Sequence, residues 1–173
     1  ITSSSSSCVS IYSPITAAVS IAGGTFTCDS SVFYTNADVN AAAITISGVT
    51  GTSASSNQLR FNTFSNGASL VVGGTTISGG AAGLVIDGIV DTTSSVTIDA
   101  GTSLTGVAGR AVSFGAAVQG PITARLCTLG GVDHSIYFAS TLDATASLTL
   151  TNVLATQTSL ASVGALRFVG AVA

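Results

Sequence analysis

The sequence predicts an all-β parallel solenoid (a β-helix) with about 26 residues per turn. Three observations carry that expectation. First, one segment recurs: AITISGVTG from Ala43, SLVVGGTTISGG from Ser69, SVTIDAGTSLTG from Ser95, PITARLCTLGG from Pro121 and SLTLTNVLAT from Ser147, each start 26 residues after the last. Second, apolar residues alternate with small polar ones inside each segment, which is the pattern of a half-buried strand. Third, the 173 residues contain no Lys, Glu, Met or Trp but 20 Gly, so long flexible helix formers are nearly missing.

Taken in chain order, residues 1–42 form a strand-rich N-terminal segment. Within it Val19-Ser20-Ile21 and Val32-Phe33-Tyr34 read as one degenerate first turn, slipped by one residue, and CVSIYS and AAVSIAGGTFTC offer a strand that a neighbouring subunit could receive. Residues 43–173 hold the solenoid repeats. Ile44, Leu70, Val96, Ile122 and Leu148 form one inward column, and Ile46, Val72, Ile98, Ala124 and Leu150 a second. Thr45, Val71, Thr97, Thr123 and Thr149 lie between them and should face outward. A second strand precedes each segment: Leu59-Arg60-Phe61, Leu84-Val85-Ile86, Val112-Ser113-Phe114, Ile136-Tyr137-Phe138 and Leu166-Arg167-Phe168. A third apolar position follows a small-residue corner at Ile77, Leu104, Leu129 and Leu154. An antiparallel β-sandwich is the alternative, since many short strands with frequent turns also suit it. It supplies no reason for a repeat of constant length.

Stacking explains the composition. Strands about 4.8 Å apart would set like charges against each other, which favours neutral Ser and Thr on outward columns. Only 6% of residues are charged, the four cations are all Arg, and the net charge is −3. Nucleic acid is therefore not an expected partner, and no apolar run is long enough for membrane insertion. Asp99 and Arg125 fall at the same repeat position on successive turns and should form a cross-turn ion pair. Cys8 and Cys28 are either a disulfide, which would fit an extracellular setting, or, with Cys127, small buried hydrophobes.

At SLVVGGTTISGG, SLTLTNVLAT, SIYFAS and GALRFVG the chain resembles β-helical surface proteins with pectin-lyase-like repeats. In texture it is similar to the dispersed-gene-family surface proteins of kinetoplastid protists. The resemblance spans roughly Ala43 to the C-terminus. It implies a surface or extracellular location and a structural or adhesive role, and brings no catalytic residues.

Candidate chemistry is sparse. Asp87 and Asp91 lie four apart in IDGIVD, with Asp99 beyond them, and such carboxylates would suit a carbohydrate-binding or carbohydrate-active site. Asp is equally a preferred corner residue. Asp133-His134 holds the only His and reads as a solvated loop rather than part of a triad. The row Thr45, Thr97, Thr123 and Thr149 forms a hydroxyl lattice of the kind that could meet ice or a crystalline polysaccharide, although Val71, Pro121, Asp99 and Arg125 interrupt it. Neither zinc-type ligand spacing nor a phosphate-cradling Gly motif occurs, so no cofactor or metal is expected, and the chain reads as no enzyme. No capping helix is apparent at either terminus, which leaves strand edges for head-to-tail association into a homo-oligomer or filament. The expected function is thus a structural subunit of an extracellular fibre or surface appendage. A glycan-binding or glycan-active β-helix and an adhesin passenger segment are the alternatives.

Overall fold

The computed structural model describes residues 1–3, 6–159 and 164–172; residues 4–5, 160–163 and 173 lie outside it. Every strand pairing among the described residues is parallel, and no helix occurs among them. That excludes the antiparallel sandwich. The chain coils through six to seven turns, each contributing one strand to each of three long sheets.

The first sheet stacks Val19–Ala22, Ala43–Ser47, Ser69–Gly73, Ser95–Ile98, Pro121–Arg125 and Ser147–Thr151. Its register sets Ile44 beside Leu70, Leu70 beside Val96, Val96 beside Ile122 and Ile122 beside Leu148. The repeat of 26 residues is thus one turn of the coil. Ile44, Ile46, Leu70, Val72, Val96, Ile98, Ile122 and Ala124 are buried, and Thr45, Val71, Thr97 and Thr123 are only partly covered on the outer side.

The second sheet stacks Thr2–Ser3, Thr25–Cys28, Thr50–Ser53, Thr76–Gly79, Ser103–Gly106, Thr128–Gly131 and Leu154–Gln157. The third stacks Val9–Ile11, Phe33–Thr35, Leu59–Phe61, Ala82–Ile86, Arg110–Phe114, His134–Phe138 and Leu166–Phe168. The recurrent pairs of the third sheet meet in register, Leu84 with Leu59 and Val112, and Phe114 with Ile86 and Phe138. Their rings stack inside the coil, with centroids 4.8 Å apart for Phe114–Phe138 and 4.9 Å for Phe138–Phe168. Such stacking adds to the area burial of the core.

A fourth inward column was not foreseen. Val39 and Phe64 pair in a two-residue parallel ladder, and single parallel bridges continue the column through Val90, Val118 and Leu142, to Ile15 at one end and Val172 at the other. Each sits four residues after the last inward residue of a third-sheet strand, as Val118 does after Phe114 (Phe64 follows Phe61 by three). The signal was in the sequence, but a single apolar residue in a loop has no alternation to reveal it.

Residues 1–42 are not set apart from the repeats. Val9–Ile11 pairs with Phe33–Thr35, and Val19–Ala22 pairs with Ala43–Ser47, with Val19 beside Ile44. The slip by one residue is present, and CVSIYS and VSIA are already paired along one edge within the chain. Cys8 and Cys28 form a disulfide, their Cα atoms 5.6 Å apart, whereas Cys127 is a free, buried thiol.

Three expected core residues differ. Leu150 keeps its register beside Ala124 yet is 43% exposed, and Leu148 is only half-buried, because no described strand lies over Ser147–Thr151. Leu154 pairs with Thr128 rather than Leu129, so it points outward and is 60% exposed, while Ala155 takes the inward register. A shift by one residue reverses a side chain's face.

Candidate functional site on the third sheet

The three carboxylates singled out from the sequence stand at three different corners of the coil. Asp87 follows the third-sheet strand, Asp91 follows the fourth column, and Asp99 follows the first-sheet strand. Each has its own partner. Arg60 Nε donates to Asp87 Oδ2 at 2.6 Å. Asp91 accepts from the Asn66 amide at 2.7 Å and from the Thr93 amide and hydroxyl at 3.0 and 2.9 Å. Arg125 clamps Asp99 with two bonds of 2.8 and 2.9 Å, which is the expected cross-turn pair.

Their acidities follow from those partners. Partial burial disfavours the Asp91 carboxylate, but the nearby Ser94 hydroxyl and the hydrogen bonds from Asn66 and Thr93 outweigh it and hold its pKa below the ordinary value. The hydrogen bond from Arg125, then that from the Ala100 amide, lowers Asp99 to about 2. These are ion-paired or turn-capping carboxylates. No group of three or more metal-ligating side chains gathers among the described residues.

The outer faces of the three sheets differ sharply. The second sheet presents two columns of hydroxyls and no charge: Thr25, Thr50, Thr76, Ser103 and Thr128 form one, and Thr27, Thr52, Ser78 and Thr105 the other. The first sheet carries the sparser threonine row seen from the sequence. The third sheet gathers the chemistry. Its central outward row reads Ser10, Tyr34, Arg60, Val85, Ser113, Tyr137 and Arg167. With Tyr12 and Arg110 beside it, this one face holds all three tyrosines and three of the four arginines.

Stacked geometry orders these groups. Tyr12 meets Tyr34 edge-on at 6.0 Å, and Arg60 lies 5.7 Å from the Tyr34 ring centroid. Arg110 sits 3.5 Å over the Tyr137 ring, and Arg167 lies 6.0 Å from the same centroid. Such cation–π contacts hold a guanidinium in place, and each guanidinium also donates to a neighbour, Arg60 to Asp87, Arg110 to Ser113 at 3.5 Å and Arg167 to His134. Between the two clusters Val85 and Ser113 are buried and short, so the face dips into an open trough of about 400 Å³ floored by Ala82, Val85 and Ser113 and flanked by Asp87, Arg110 and Asp133.

His134 departs from its expected place. It is 2% exposed rather than in a solvated loop, because it begins a third-sheet strand and stacks on Tyr137. Its Nδ1 lies 3.0 Å from the Gly164 carbonyl, to which it donates, and Nε2 accepts from Arg167 at 3.4 Å. That arrangement matches the tautomer with the proton on Nδ1, since a guanidinium only donates. Sequence reading missed the whole face. Its members are 22 to 30 residues apart, and only the turn length shows that they are neighbours. Compared with known proteins, the chain matches no family model, no curated protein and no solved structure.

Proposed function

We propose that this chain is a structural segment of an extracellular fibre or surface appendage and that copies associate head to tail through their strand edges. The observation that supports the reading is the apolar surface left on the last described turn. Leu150, Leu166 and Val172 occupy positions whose counterparts one turn earlier are buried, yet they are 43%, 38% and 59% exposed. Beside them run parallel edges that no further described strand covers. The first strands of the chain, Val9–Ile11 and Val19–Ala22, carry the complementary open edge. A contact between unlike ends does not close on itself and propagates as a filament. The Cys8–Cys28 disulfide supports an oxidising, extracellular location. The reading assigns the chain no catalysis.

Electron microscopy of the chain at rising concentration tests this. Filaments one solenoid wide are expected, and Leu150→Asp with Leu166→Asp should abolish them by placing charge in the contact. Particles that stay short and monodisperse at every concentration would overturn it. That result would favour an adhesin passenger whose own chain continues in further turns.

A further inference from the structure

We propose that the outer face of the third sheet binds a linear polysaccharide bearing carboxylate or sulfate groups, laid along the coil axis. The inference is independent of filament formation, and it moves the glycan reading away from Asp87, Asp91 and Asp99 as a cluster. Three observations carry it.

The first is segregation. A chain with only four cations places Arg60, Arg110 and Arg167 on this face, together with Tyr12, Tyr34 and Tyr137. The strands of the second sheet, by contrast, carry no charged side chain.

The second is repetition along the axis. A Tyr–Arg couple on adjacent strands occurs twice, as Tyr34 beside Arg60 and as Tyr137 beside Arg167. The two couples are four turns apart, a distance of about 19 Å at the usual strand spacing. The open trough lies between them, and its floor is made of short buried side chains. Two posts joined by a channel fit an extended polymer better than a compact ligand.

The third is chemistry. The Tyr12 and Tyr34 rings, which meet edge-on, offer flat faces to sugar C–H groups, the Tyr137 ring is covered by Arg110 and His134 and serves to hold Arg110 in place, and arginine forks pair with planar carboxylates or with sulfates. Asp87 engages Arg60 through Nε and keeps the side chain, 39% exposed, at the trough edge. A peptide finds less here. Strand addition needs a sheet edge, and this is a sheet face whose strands are paired on both sides through most of its length. The trough also lacks a deep apolar pocket for an anchoring side chain.

The test is calorimetric titration of the full chain with a uronate hexasaccharide, a sulfated hexasaccharide, a neutral hexasaccharide and an acidic hexapeptide. Saturable binding to either charged saccharide is expected, weakening as salt rises. Arg60→Gln should weaken it at least tenfold, as should Arg110→Gln. Arg60→Gln is the safer variant for folding because its side chain is partly exposed, and circular dichroism confirms the fold of each. Thr52→Ala, on the second sheet, should leave binding unchanged. Uronate binding without sulfate binding assigns carboxylate as the ligand group, and the reverse assigns sulfate. Equal binding of the neutral saccharide, binding of the peptide alone, no binding at all, or unaltered binding by folded Arg60→Gln would each overturn the proposal.

Discussion

Asp99 and Arg125 illustrate what a residue gains from the register of a coil. Twenty-six residues apart, they form a bidentate pair only because one turn brings their strands side by side. The pair holds Asp99 near a pKa of about 2 against an ordinary 3.8. A folded-state value below the unfolded one means that the interaction is present above the ordinary carboxylate range and is lost as pH falls from about 4 towards about 2. Carboxyl-carbon NMR should show Asp99 titrating well below Asp in a short peptide, and Arg125→Ala should move it back towards the ordinary value. Arg125 is more than half exposed and Asp99 partly so, so the stability at stake is small. The neighbouring corner shows the other residue-scale demand. Gly23, Gly48, Gly74, Leu126 and Asn152 all take positive φ there, between 51° and 68°. The amides of Gly23, Gly48, Gly74 and Leu126 donate from turn to turn, as Gly48 does to Gly73 and Leu126 to Thr151. The sequence shows the glycines but not why Leu126 must share their conformation, which the stacked hydrogen bonds impose.

At the scale of the strand, burial depends on having a neighbour on both sides. Leu70 lies between Ile44 and Val96 and is fully buried, whereas Leu150, on the outermost described strand of the same sheet, is 43% exposed. Leu70→Ala removes side-chain volume from a closed core and should cost about 2–5 kcal/mol. Leu150→Ala should cost under about 1 kcal/mol in the unassociated chain, since little surface is taken from water there. Urea unfolding of the two variants checks the contrast, and equal losses would contradict the observed burial. The two inward columns of the first sheet were legible because alternation and a constant interval coincide. Leu154 lies near the repeat interval, but its register is slipped by one, so alternation alone does not show that it faces outward.

For the whole molecule, the first turn and the last described turn have neighbours on one side only. The disulfide between Cys8 and Cys28 closes the first turn across a separation of 20 residues. Cys28→Ser should cost about 3 kcal/mol if loop entropy governs. Because a solenoid is stabilised by neighbouring turns, hydrogen exchange should show the loss concentrated in residues 1–35 rather than spread along the coil. By itself the sequence determined the all-β class, the turn length and the inward columns, since these depend on alternation and periodicity, which are local and repeated. It also located the Asp99–Arg125 pair, since both residues lie inside the constant repeat. Only the tertiary structure decided the fourth column, the burial of His134 and the gathering of arginine and tyrosine on one face. Loops of unequal length join those residues, so no fixed interval in the sequence marks them as neighbours, and their proximity exists only once the turns are stacked.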